Sequence, residues 1–169
     1  MTYTSAQANK LLKKLNDEHT ALLDKESRSK DFRAAMGEDV EDLRPVYDYA
    51  DTQNRLAELE RRIRRVKHAI NIFNATHVIP DFGMTIDEML VYIPQLTQRK
   101  NKLADMKARL PKERVEEQYG RQSNIIDYTY ANYDLAAVEA DYEKIADELF
   151  RAQLALDAVN QRDTFELAE

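Results

Sequence analysis

The sequence has no cysteine and few of the residues that interrupt helices. Without cysteine there is no disulfide framework, no thiolate metal site and no cysteine nucleophile. Three glycines and four prolines in 169 residues are too few for a turn-rich β fold, because these residues are the usual turn formers. The chain also lacks the run of about 20 apolar residues that a membrane span needs, and its first residues lack the apolar core of a signal peptide. These absences predict a helical, cytoplasmic protein with no membrane span.

The chain is rich in charged residues, and acidic residues outnumber basic ones. Charged residues make up 33% of the chain, and the net charge is -6. Nucleic-acid binding normally needs a basic surface, so this balance argues against nucleic acid as a general partner. The length suits one domain with a sizeable core, and no segment is long enough to be a linker. We therefore expect a single helical domain over residues 1–169.

Apolar residues recur at helical spacing in four segments, which predicts helices at about 4–30, 48–74, 85–110 and 134–161. Thr4 with Gln7, and Thr85 with Glu88, have the spacing of capping boxes, in which each side chain satisfies a backbone donor at the helix start. Asp134 is a predicted N-cap for the fourth helix.

The second and fourth predicted helices carry the clearest seams, with apolar residues separated by alternating steps of three and four. In the second helix these are Leu56, Leu59, Ile63, Val66, Ile70 and Phe73. In the fourth they are Leu135, Val138, Tyr142, Ile145, Leu149, Ala152, Leu156 and Val159. Such heptad spacing is typical of helices that pack in coiled-coil fashion. The pattern predicts a mainly all-α fold, an antiparallel four-helix bundle or long helical hairpins with coiled-coil-like seams.

Two segments, 31–47 and 111–133, break the helical pattern. The second includes NIIDYTYA (124–131), whose β-branched and aromatic residues predict a short strand in a small β-hairpin or strand pair at one end of the bundle. Asn74 follows the last seam residue of the second helix and is expected to close it in the left-handed conformation. Pro94 lacks the amide hydrogen that a helix interior needs, so we expect it to bend or restart the third helix.

The motifs of common enzymes and metal sites are missing. A di-iron bundle needs Glu-x-x-His pairs, but Asn16, Arg65 and Asn74 stand three residues before the three histidines, His19, His68 and His77. There is no Gly-rich phosphate loop, nucleophile elbow or zinc-protease motif. The sequence therefore predicts a non-enzymatic protein with no catalytic residue, no metal ligand and no cofactor.

A basic run on the second helix is a candidate anion-binding site that consists of Arg61, Arg62, Arg64, Arg65 and Lys67. It could bind nucleic acid or an anionic surface. The alternative, which we favour, is pairing with acidic residues of the fourth helix such as Glu139, Glu143 and Glu148, since neighbouring helices often pair charges along their flanks.

A second candidate site is the Tyr/Asn-rich segment together with His77, the histidine in the turn after the second helix. Its members are His77, Tyr119, Asn124, Tyr128 and Tyr130. Aromatic side chains can stack bases or sugars, so this segment is a candidate for small-molecule binding. The alternative is that the rings cover the end of the bundle while their hydroxyls stay in water.

The outer side of the fourth helix carries a candidate oligomer interface. Phe150 and Leu154 lie one turn apart, roughly opposite the seam. Ala136, Ala140 and Ala158 continue the line with small side chains, although Glu143 and Asp147 interrupt it. We expect self-association through a mixed interface anchored by Phe150 and Leu154.

Five motifs along the chain are INIFN (70–74), TIDEML (85–90), RLPKER (109–114), YGRQSNII (119–126) and ALDAVNQRDTFE (155–166). In this order they resemble the septicolysin-like family of small, uncharacterised bacterial proteins. The resemblance covers nearly the whole chain, and it implies an α-helical, oligomeric protein whose biochemical role it does not specify. The family name suggests a cytolysin, yet the segments long enough to insert into a membrane are heavily charged.

Overall fold

A computed structural model describes residues 1–115 and 126–167 of the chain. Within these residues lie helices α1 (Ser5–Ser29), α2 (Val40–Leu43), α3 (Tyr49–Thr76), α4 (Ile86–Lys107) and α5 (Leu135–Arg162). Short strands join them: β1 (Thr2–Thr4), β2 (Val78–Ile79), β3 (Met84–Thr85), β4 (Lys112–Arg114), β5 (Tyr128–Tyr130) and β6 (Thr164–Glu166). The predicted mainly helical class with short paired strands is confirmed.

The chain divides into two compact units. Unit 1 consists of Met1–His77 with Ala158–Glu169, and unit 2 is Val78–Asp157. Each unit contains one helix pair, and each is described by itself. The single-domain assignment and the assembly of the two pairs into a four-helix bundle stay predictions.

In unit 1, α1 and α3 form an antiparallel hairpin. Ala8 and Leu15, from the first half of α1, pack with Val66 and Ile70, from the second half of α3, and with Leu167 near the C-terminus. At the other end of the hairpin, Glu26 accepts hydrogen bonds from the Tyr47 hydroxyl at 2.6 Å and the Gln53 amide at 2.7 Å. The seam predicted for the second helix is confirmed, since each of its residues is buried or half-buried.

The two ends of the sequence pair in unit 1. Strand β1 runs antiparallel to β6, with Thr2 opposite Glu166 and Thr4 opposite Thr164. The Leu167 amide then donates to the Met1 carbonyl at 2.9 Å. This strand pair was not predicted, because three residues on each side give too little pattern to indicate a strand.

In unit 2, side-chain bonds show that α4 and α5 are antiparallel. Near the start of α4, the Tyr92 hydroxyl donates to the Glu148 carboxylate at 2.5 Å. At the end of α4, the Lys107 ammonium lies 3.0 Å from a carboxylate oxygen of Glu139, close to the start of α5. The seam predicted for the fourth helix is also confirmed, since its residues are buried or half-buried.

The predicted helix starts are confirmed. The Gln7 amide donates to the Thr4 hydroxyl at 3.2 Å, and the Thr4 amide donates to the Gln7 side chain at 3.0 Å. Thr85 and Glu88 form the same reciprocal pair at the start of α4. These backbone and hydroxyl donors favour the carboxylate and lower the pKa of Glu88. Asp134 accepts from the Ala136 amide at 2.9 Å at the start of α5.

Two local predictions need correction. The helix does not restart at Pro94, because α4 is one helix from Ile86 to Lys107, and a bend at Pro94 stays a prediction. Because both Pro94 and Leu90 are exposed, water can satisfy the Leu90 carbonyl that loses its amide donor. Asn74 does not adopt the left-handed conformation. The helix α3 continues to Thr76, and His77 closes it with its amide bonded to the Phe73 carbonyl.

The irregular segments agree in part with the sequence pattern. Strand β5 lies inside the predicted NIIDYTYA strand and pairs with β4, which confirms a strand pair between the third and fourth predicted helices. Residues 31–47 contain only the short helix α2. Strands β2 and β3 form a hairpin. The last residue of its turn is Gly83, whose φ of +64° is readily adopted by glycine.

Candidate functional site

The basic run lies on the exposed side of α3. Arg61 pairs with Glu58 at 2.9 Å, and Arg64 pairs with Glu60 at 3.9 Å. Both partners are on the same helix, one turn away, where such pairs contribute about 0.2–0.5 kcal/mol. The pairing that we favoured, with acidic residues of the fourth helix, stays a prediction. Within unit 2, Glu139 and Glu143 contact Lys107.

His77 lies in a cluster of rings at the end of α3. The ring of Phe73, one turn earlier, stacks on both His77 and Phe165, each with a centroid distance of 4.7 Å. The His77 Nε2–H donates to Asp163 Oδ2 at 2.7 Å, and the Arg162 Nε–H donates to Asp163 Oδ1 at 2.7 Å. The Arg162 guanidinium, and to a smaller extent His77, lower the pKa of Asp163.

This arrangement joins the exit of α3 to the exit of α5. A histidine oriented by a carboxylate also forms two of the three members of a nucleophilic triad. The nearby hydroxyl of Thr76, however, donates to the Ile72 carbonyl at 2.8 Å and is not aimed at the ring. The contacts of His77 thus account for it as a structural residue of unit 1, with its side chain only 30% exposed.

An open groove of about 420 Å³ lies beside this cluster on unit 1. Its lining includes the rings of Phe73 and Phe165 and the polar side chains of Arg65, His68 and Glu166. Of the basic run, only Arg65 contributes to it. Since the groove presents both signs of charge and is open to water, it offers no single ligand chemistry.

The tyrosines of the candidate ligand segment lie on unit 2. Tyr128 and Tyr130 are on β5, whereas Tyr119 and Asn124 fall outside the described residues. The Lys112 ammonium lies over both rings, 3.9 Å from the Tyr128 centroid and 5.4 Å from the Tyr130 centroid. Sequence reasoning missed Lys112 and its neighbour Arg114. The available signal was their spacing of two in RLPKER, which puts both on one face of a strand.

Phe150 and Leu154 are exposed on α5, as their position opposite the seam predicts. Phe150 is 59% exposed and Leu154 54% exposed. Leu90 and Val91 of α4 are also exposed. Because Tyr92 bonds to Glu148, these two residues lie at about the same level of the α4–α5 hairpin as Phe150. This end of the hairpin therefore presents several large apolar side chains to solvent.

Neither a group of three metal-ligating side chains nor a membrane-spanning helix occurs in the described part of the chain. Over residues 1–115 and 126–167, no group of three or more His, Asp or Glu side chains is placed to hold a metal ion. No helix among the same residues combines the length and the apolar character needed to cross a bilayer.

Comparisons with known proteins identify the fold alone. No family model matches the sequence, and no curated protein matches it. The chain is structurally similar to a crystal structure described as that of "a functionally unknown conserved protein from Corynebacterium diphtheriae". The TM-score is 0.60 at 16% sequence identity, and the match covers 98% of this chain and 100% of that one. The two proteins share a fold over their whole lengths.

Proposed function

We propose that the protein is a non-enzymatic interaction protein that self-associates through the outer side of α5. The exposure of Phe150 and Leu154, one helical turn apart, carries the proposal. In a symmetric dimer the same patch contributes from both copies, so two such residues supply four anchoring side chains. Ala136 and Ala140 are exposed on the same helix, and small side chains allow a second helix to approach closely.

The size of a stable interface sets a further condition. Specific dimers bury about 1,200–2,000 Å² in total, with aromatic and large aliphatic anchors near the centre. Phe150 and Leu154 alone do not reach this area, but Leu90 and Val91 are exposed at the same level of the hairpin. Glu143 and Asp147 lie on α5 within two turns of Phe150, which favours a mixed interface with a polar rim.

The proposal extends to the architecture and setting of the protein. We place the two hairpins in one antiparallel four-helix bundle with coiled-coil-like seams, in a cytoplasmic protein related to the septicolysin-like family. The alternatives, anion binding by the basic run and small-molecule binding by the Tyr/Asn-rich segment, stay predictions.

The test is the assembly state of a double variant. The wild-type protein should sediment at twice 19.7 kDa or more, and Phe150→Glu with Leu154→Glu should shift it to the monomer. The matched control is Asn54→Glu with Asn71→Glu, which adds the same charge at two exposed positions of α3. The control should leave the mass unchanged, and all three proteins should give the same helical circular dichroism.

A second measurement uses the absence of cysteine from the chain. A single Leu154→Cys variant should form a disulfide-linked dimer under mild oxidation, whereas Asn54→Cys, at an exposed position of α3, should cross-link far more slowly. A monomeric wild type, or a double variant of unchanged mass, would contradict the proposal.

A further inference from the structure

The strand pair of unit 2 separates its residues into two chemically different faces. In the register of β4 and β5, Lys112 lies opposite Tyr130 and Arg114 lies opposite Tyr128. Directly opposed residues of antiparallel strands point to the same face, and successive residues alternate. Lys112, Arg114, Tyr128 and Tyr130 therefore share one face, which we call the ribbon face. The acidic Glu113 and its partner Thr129 lie on the other.

Cations and rings are in direct contact on the ribbon face. The Lys112 ammonium lies 3.9 Å from the centroid of Tyr128, within the range of a cation–π contact. The two rings have centroids 6.4 Å apart and are tilted by 52°, so they do not stack fully on each other. Each ring keeps surface for another partner, since Tyr128 is 43% exposed and Tyr130 60% exposed.

The β4–β5 strand pair buries too little surface to be stable by itself. Every residue of β4 and β5 is exposed, and an isolated pair of strands is only marginally stable in water. Tyrosine and arginine are also the residues that most often anchor a binding partner. The ribbon is therefore better suited to binding than to supporting the fold of unit 2.

We infer that the ribbon face binds single-stranded nucleic acid. Lys112 and Arg114 can pair with phosphates, while Tyr128 and Tyr130 offer platforms on which unpaired bases stack. Aromatic residues on adjacent strands with basic neighbours are a common means of binding single strands. Duplexes are disfavoured because their bases already stack on one another.

The whole chain has a negative net charge, but the ribbon face itself carries positive charges. The net charge of -6 weakens long-range attraction, so binding should be modest and sensitive to salt. On the ribbon itself the cations lie on the aromatic face, and Glu113 points away from it. Two phosphate contacts predict a slope of about -1.4 in a plot of log K against log salt concentration, at about -0.7 per contact.

The experiment is fluorescence anisotropy of labelled single-stranded oligothymidylate with the full-length protein at low salt. Tyr128→Val with Tyr130→Val removes the rings but keeps β-branched residues that favour a strand, and should weaken binding roughly tenfold or more. Tyr128→Phe with Tyr130→Phe keeps the stacking surface and should bind like the wild type. Lys112→Gln should reduce the salt slope by about 0.7.

Controls on the same protein separate this site from general effects. Glu113→Gln, on the opposite face, and Tyr49→Ala, an exposed tyrosine of unit 1, should each leave the ring-dependent binding in place. No binding by the wild type, equal affinity for a duplex, or equal affinities of the Val and Phe variants would overturn the inference. So would a shift in oligomer mass caused by the Val variant, because the face would then be a contact between copies.

Discussion

Unit 1 and unit 2 are built from similar parts, yet they use them differently. Each contains an antiparallel helix pair and short strands. In unit 1 the strands join the two ends of the sequence, Leu167 is buried in the core, and Phe165 stacks on Phe73. In unit 2 the helices are linked by polar side chains, and the β4–β5 ribbon exposes every residue. The difference lies in the short strands: in unit 1 the β1–β6 pair adds Phe165 and Leu167 to the packing of the helices, whereas in unit 2 the β4–β5 pair leaves its tyrosines exposed.

The largest effects should come from the buried side chains, and they should be similar in both units. Leu15 of unit 1 and Met89 of unit 2 are both almost fully buried. Replacing either by alanine should lower the free energy of unfolding by about 2–5 kcal/mol, because a cavity is left behind. Leu23→Ala, at an exposed position of α1, is the control and should cost much less in the same urea titration. If Met89→Ala left the free energy of unfolding nearly unchanged, the two units would also differ in their cores.

A smaller effect is expected where unit 1 joins its helix exits. Arg162 and His77 lower the pKa of Asp163 in the folded state. A carboxyl whose folded pKa is lowered contributes stability above its unfolded pKa of about 3.9 and loses it as the pH falls through the folded pKa. Asp163→Asn should therefore lower the free energy of unfolding by about 1–2 kcal/mol near neutral pH, with a difference that shrinks below about pH 4.

The control for Asp163 is Asp157→Asn, an exposed position on α5, the helix that Asp163 follows. It should change the free energy of unfolding little near neutral pH. Equal curves for Asp163→Asn and the wild type across this pH range would show that the His77 cluster does not stabilise unit 1.

The smallest change in the free energy of unfolding is expected for Tyr92 of unit 2, and it should depend on pH in alkaline solution. The hydroxyl of Tyr92 donates to Glu148, and the carboxylate raises the tyrosine pKa. A raised folded pKa gives stability that is present below the unfolded pKa of about 10 and is lost as the pH rises through the folded value. Tyr92→Phe should cost about 1 kcal/mol near neutral pH, and the cost should disappear in strongly alkaline solution. Tyr49→Phe, at an exposed position, is the control and should change the free energy of unfolding little near neutral pH.

Much of the fold could be predicted because its signals are local. The capping boxes at Thr4 and Thr85 depend on residues three apart, and the seams of α3 and α5 depend on repeats within one helix. The predicted restart at Pro94 did not occur because its exposed position lets the helix continue, and Asn74 was misjudged because the next segment of the chain decided its conformation. A residue type sets only a preference, and its surroundings can override it.

For the candidate sites too, features set by local spacing were predicted, and features set by distant contacts were not. The exposure of Phe150 and Leu154 followed from their positions opposite a seam, since the period of a helix fixes which side faces away from the core. The partner of His77 did not follow, because Asp163 is 86 residues away. The pairing of Lys112 with Tyr128 and Tyr130 likewise needed the strand register.

By itself the sequence determined the helical class, the helix starts, the apolar seams and the outward side of α5, because these depend on propensity and spacing within a few turns. Only the tertiary structure decided that the two ends of the chain pair, that His77 bonds to Asp163, and that two cations and two tyrosines share the ribbon face. Each of these joins short segments far apart in the sequence. A three-residue strand or a single side chain gives no periodic signal of where its partner lies, so these contacts form only when the helices have brought the segments together.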